Sequence, residues 1–156
     1  MSEATKKLIA GHALFADLDP QYIHTLAEFS AERVIPEGQN LFNQGQPART
    51  FYLIVSGKVV VETPAIIGPT LVLQELGKGR ILGWSWLIPP YRWHFQARAE
   101  TESTVVEFDG TRLLELCEKD PAFGYQLLKR FAGLMGERLE SARRRMIDAW
   151  NPSGFA

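Results

Sequence analysis

Between Glu32 and Phe108 the chain is cut into short apolar runs by closely spaced turn signals, and this pattern limits the fold more than any other feature. The turns are Pro36-Glu37-Gly38, Gln44-Gly45-Gln46-Pro47 and Ser56-Gly57-Lys58. Between and after them lie Arg33-Val34-Ile35, Asn40-Leu41-Phe42, Phe51–Val55, Val59–Glu62, Thr70–Leu76, Phe95–Ala99 and Thr104–Phe108. Ile66-Ile67-Gly68-Pro69 is expected as a loop. Runs this short hold strands but not helices. Seven or eight of them at regular spacing predict a mainly β fold, an eight-stranded β-barrel or jelly roll.

Helical signals flank this region. Asp19-Pro20 gives a helix an N-cap and a proline at its first position, and Ile23, Leu26 and Ala27 follow at helical spacing. Leu14-Phe15 and Leu18 supply contacts for docking that helix. After Asp109-Gly110, Leu113, Leu114, Leu116 and Cys117 predict a short helix. Asp120-Pro121 then opens a long one whose stripe is Leu127, Phe131, Leu134, Met135, Leu139, Ala142, Met146, Ala149 and Trp150. Such a helix spans roughly 40 Å, more than a small barrel covers. Gly133 and Gly136 mark a place for a bend. The tail Asn151–Ala156 is expected to fray. The whole is one domain over 1–156, with the barrel at about 32–108 and the C-terminal helices at about 110–150.

Composition removes several function classes. The net charge is -1 and the pI about 6.3, so no global basic field holds nucleic acid or an anionic membrane. The single cysteine, Cys117, permits no internal disulfide and suits a reducing compartment. No apolar segment follows Met1–Lys7 as a leader would require. The most apolar stretch, Ile81 to Tyr91, is short and broken by Gly83, Pro89 and Pro90. A cytoplasmic location is expected. His12, His24, His94 and Cys117 are too dispersed for a metal site, and no cofactor is expected.

Four motifs in this order resemble the cyclic-nucleotide-binding domain family, which includes catabolite-activator and Fnr-type regulators. They are Leu14-Phe15-Ala16-Asp17-Leu18 before a helix, Ile35–Gly45 as a first hairpin, Phe51–Val59 as a strand and turn, and Leu76–Gly83 as the approach to a phosphate-binding cassette. The resemblance implies a sensor domain. In its cassette a Gly-Glu pair starts a one-turn helix that holds a cyclic phosphate, the Glu takes the ribose hydroxyl, and an Arg about ten residues on neutralises the phosphate. Here Gly83 matches the pattern, but Trp84 stands at the Glu and Trp93 at the Arg. Losing a buried charge partner costs about 2–5 kcal/mol. cAMP and cGMP are therefore expected to bind weakly or not at all, and a flatter, less charged ligand is expected. Arg92 serves as the cation if the loop shifts by one residue.

Three of the four tryptophans, Trp84, Trp86 and Trp93, lie in this one window with Tyr91. The candidate ligand site is Gly83, Trp84, Ser85, Trp86, Arg92, Trp93 and His94, with Arg98 as a further polar neighbour. Ser85 either caps the one-turn helix or meets a ligand anion. The indoles either line a pocket or plug one, and in the second case the chain is a ligand-free interaction module. A cupin-like enzyme is the remaining alternative, disfavoured by the missing metal triad. No Ser–His–acid arrangement is readable and no catalytic residue is assigned. Arg143-Arg144-Arg145 is interleaved with Glu137, Glu140 and Asp148 and reads as a solvated helix face. Gene-regulating members of the family carry a helix-turn-helix after the long helix. The sequence as given has none, so no specific DNA binding is expected. The expected partners are a small molecule and a second copy of the chain, met through the segment after Phe131.

Overall fold

The computed structural model describes residues 3–64 and 67–150. Two helices, α1 (Glu3–Ala10) and α2 (Pro20–Glu28), flank a 3-10 turn at Ala13–Phe15. Eight strands follow: β1 (Ser30–Ile35), β2 (Asn40–Phe42), β3 (Thr50–Ser56), β4 (Val59–Thr63), β5 (Leu71–Leu76), β6 (Ile81–Leu82), β7 (Gln96–Ala99) and β8 (Ser103–Asp109). Helices α3 (Gly110–Lys119) and α4 (Pro121–Trp150) complete the described chain.

The strands form two antiparallel four-stranded sheets, in the orders β1-β8-β3-β6 and β2-β7-β4-β5. This is the expected jelly roll, packed as a sandwich. Among the described residues no ladder joins the sheets, so the ring of a closed barrel is not completed. The edge strands β2 and β6, three and two residues long, are too short to bridge the gap.

The apolar run of β3 is continuous because both of its faces are buried. Tyr52 and Ile54 point between the sheets and join Ile35, Phe42, Val59, Leu82 and Val105. Phe51 and Leu53 point the other way, against Phe15, Leu26, Leu113, Phe123, Leu127 and Phe131 of the helices. The molecule thus has two cores separated by one sheet. The turn after β3 needs a glycine: Gly57 has φ +92°, and a Cβ there would lie 2.3 Å from Ser103 Oγ.

The helix starts follow from capping. Asp19 accepts from the Gln21 amide, Asp109 from that of Arg112, and Asp120 from that of Phe123. α4 runs its full 30 residues through Gly133 and Gly136 without interruption. Its first half is locked into the helix-side core by Phe123, Leu127 and Phe131. Its second half leaves Leu139, Met146 and Trp150 largely exposed. The expectation of a frayed tail falls outside the described residues. Two elements went unread in the sequence: α1, which is only eight residues long, and β6, which is only two.

Candidate functional site

The Gly83–Phe95 segment leaves β6 and crosses the end of the sandwich. Gly83 adopts φ +101°, and a Cβ there would lie 2.8 Å from the Trp93 ring, so two constraints demand glycine. The one-turn helix expected after it is a plain turn, closed by a hydrogen bond from the Leu87 amide to the Trp84 carbonyl. Ser85 therefore has no helix to cap. Its side chain is buried, and among the described residues its Oγ has no hydrogen-bond partner.

The three tryptophans of this segment go to three different places. Trp93 is 3% exposed and lies between the sheets, stacked on Phe42 with centroids 3.6 Å apart and planes at 10°. Its backbone is fixed by bonds to Gln46 and Gly45 on the neighbouring turn. Trp86 enters the other core, stacked on Phe51 and edge-on to Phe131. Its Nε1 is buried without an acceptor among the described residues. Trp84 is half-buried between the two cores, edge-on to Phe95 at 5.7 Å.

Trp84 and Phe95 form one wall of a cavity of about 460 Å³. Val61 and Leu73 of the sheet and Arg138 and Met146 of α4 also line it. Two arginines tie α4 to the sheets around this space. Arg145 donates to the Leu73 carbonyl and Arg138 to the Ile81 carbonyl. The Arg138 guanidinium also lies 5.5 Å from the centre of the Trp84 ring. Burial, with the charge of Arg80 acting in the same direction and Glu137 opposing, holds the Arg138 pKa down to about 10.

The remaining candidates sit elsewhere. Arg92 is exposed and donates to the Gly45 carbonyl at 2.9 Å. His94 is exposed. Neither lines the cavity at Trp84. Arg98 faces the outer side of its sheet, because its neighbours Ala97 and Ala99 point inward. There its Nε donates to Glu62 at 3.0 Å, and Gln96 donates to the same carboxylate oxygen at 2.8 Å. Glu62 is 4% exposed, and the Arg98 hydrogen bond keeps its carboxyl below the usual carboxylate range despite that burial.

Sequence reasoning missed Arg138 and Glu62. Arg138 lies seven residues beyond Phe131 on the buried stripe of α4, and Glu62 closes the apolar run Val59-Val60-Val61. Both signals were present: a charge where the pattern asks for an apolar residue. Among the described residues, no group of three or more His, Cys, Asp and Glu side chains is placed to hold a metal ion. No helix among them is long and apolar enough to cross a membrane.

The arrangement matches known proteins in both sequence and fold. The cyclic nucleotide-binding domain family model matches residues 32–120. A cyclic AMP receptor protein of Thermus thermophilus is 28% identical over 110 residues, 70% of this chain and 47% of that protein. A CRP-like cAMP-activated global transcriptional regulator of Mycobacterium tuberculosis is 25% identical over 142 residues, 91% of this chain and 62% of that one. The chain thus spans about half to three-fifths of these relatives. A solved structure from Geobacter metallireducens GS-15, assigned as a cyclic nucleotide-binding protein, superposes with a TM-score of 0.79 at 28% identity. It covers 89% of this chain and 99% of that one. The two-sheet jelly roll, the long helix closing over a cavity at its end, and the family match across the strands together make this chain a member of the cyclic nucleotide-binding domain family.

Proposed function

We propose that this chain is a sensor module whose cavity takes a flat small molecule other than cAMP. One observation carries the reading. Trp93, at the position where the family resemblance puts the phosphate-binding arginine, is part of the core, while Trp84, at the ribose-binding position, walls an open cavity. Indoles offer one donor each and no acceptor, so neither can receive the ribose hydroxyl protons as a carboxylate does. The wall of Trp84, Phe95, Val61 and Leu73 suits an aromatic ring. Titration calorimetry with cAMP tests this. Saturation is expected to lie well above the low micromolar range, and a dissociation constant at or below that range overturns the reading.

The role is one of binding rather than catalysis. The cavity wall holds arginines, apolar groups and one amide but no nucleophile, and burial pushes the thiol of Cys117 up to about 11. The reading places the protein in a reducing, cytoplasmic setting. A second copy of the chain is the proposed partner, met through the distal half of α4. Leu139, Met146 and Trp150 are 72%, 71% and 68% exposed on that half, an apolar seam suited to a facing helix. Light scattering is expected to give a dimer at micromolar concentration and a monomer for Leu139→Asp. A wild-type monomer rejects the seam.

A further inference from the structure

A buried charge lines the cavity at Trp84. Arg138 is 8% exposed, and among the described residues no carboxylate pairs with it. It donates to the Ile81 carbonyl, and among the described residues its buried Nε meets no acceptor. Arg80 adds a second positive charge nearby, while Glu137 acts only at a distance from the exposed side of α4. A buried cation in this state costs free energy unless an anion completes it. Glu62 shows the contrasting case in the same molecule: a buried charge with two donors in place, its partner Arg98 and Gln96.

We propose that Arg138 anchors the acidic group of the ligand, and that the ligand is a sugar-free organic anion with a flat apolar body. The acid would accept from Arg138, and the ring would lie against Trp84 and Phe95. This inference rests on the cavity being a ligand site, and adds the charge of the ligand and the residue that reads it. It also revises the expectation of a less charged ligand, which weighed the cassette alone. The cation lost at Trp93 is supplied here by α4. A groove of about 590 Å³ on the other side of Arg138 is the weaker seat for the apolar body. Its wall includes Glu137, and its Arg130 already donates to the Ala16 carbonyl. Because the present Arg138 bond joins α4 to β6, an acid competing for the guanidinium would exchange a helix-to-sheet contact for a helix-to-ligand contact.

Two fluorescent probes of similar shape test this on the full chain: the anion anilinonaphthalenesulfonate and the uncharged N-phenylnaphthylamine. Both are expected to bind the wild type. Arg138→Gln is expected to weaken the sulfonate roughly tenfold or more and the neutral probe less than about twofold. Arg80→Gln is expected to leave both within about twofold. Equal losses for both probes with Arg138→Gln, no loss for the sulfonate, or a sulfonate loss with Arg80→Gln as large as with Arg138→Gln, overturns the anion anchor. Failure of the neutral probe to bind the wild type at all overturns the ligand cavity itself. If Arg138→Gln does not fold, displacement of the bound sulfonate from the wild type decides. Naphthalenesulfonate should displace it and naphthalenemethanol should not, and equal displacement by both contradicts the proposal.

Discussion

Trp84 and Trp93 come from one stretch of chain, nine residues apart, yet one bounds an open space and the other fills a closed one. The difference lies in what each faces. Trp93 is held on the adjacent turn by two backbone hydrogen bonds and lands flat on Phe42, leaving no gap between the sheets at that point. Trp84 follows Gly83, whose backbone is left-handed, and its half-buried ring meets Phe95 edge-on and the Arg138 guanidinium while packing against both cores. The same residue type can therefore plug a pocket or wall one, and the local backbone decides which. The two buried charges divide in the same way. Glu62 is fully answered by Arg98 and Gln96, whereas Arg138 is not.

Shortening each indole in turn separates the two sites most strongly. Trp93→Ala is expected to cost about 3–5 kcal/mol, as for other buried aromatics, and Trp84→Ala about 1 kcal/mol. Urea unfolding of the two variants measures the difference, and equal losses would mean that the two sites are packed alike. Gly83→Ala is the next largest effect. It forces a side chain into a positive φ and against the Trp93 ring, at an expected cost of about 1–3 kcal/mol. A neutral result in the same unfolding assay would place Trp93 elsewhere.

The contrast in charges is sharpened by acid. The Glu62 carboxyl is held below its ordinary value, so on acidification the unfolded chain takes up this proton first. The stability it contributes is complete above the ordinary carboxylate range and is lost as pH falls through the lowered folded value. Thermal melts below the ordinary carboxylate range are expected to show a smaller acid-induced drop for Glu62→Gln than for the wild type. Parallel curves would mean that Arg98 does not hold the carboxylate.

Much of the fold is legible in the sequence because its signals are local. Aspartate caps at Asp19, Asp109 and Asp120 mark three helix starts, and glycine-bearing turns separate the strands. The pairing into two sheets is not local, and strands of two or three residues such as β6 and β2 carry too little pattern to be seen or to show that the ring stays open. The site is legible only in part. The segment Gly83–Phe95 stands out by its tryptophans, but which face each indole takes depends on the φ of Gly83 and on Phe42 across the sandwich. Trp86 illustrates this, since it belongs with Phe51 and Phe131 rather than with its neighbours in sequence. Arg138, more than fifty residues beyond Trp84 along the chain, joins the cavity only through the docking of α4.

The position of a bound aromatic ring tests the account most directly. A crystal structure of the chain with N-phenylnaphthylamine is expected to place the probe between Trp84, Phe95 and α4, with Trp93 still stacked on Phe42. A probe lying against Phe42 in the space of a displaced Trp93 would contradict the account, as would an empty cavity beside Trp84 at saturating probe.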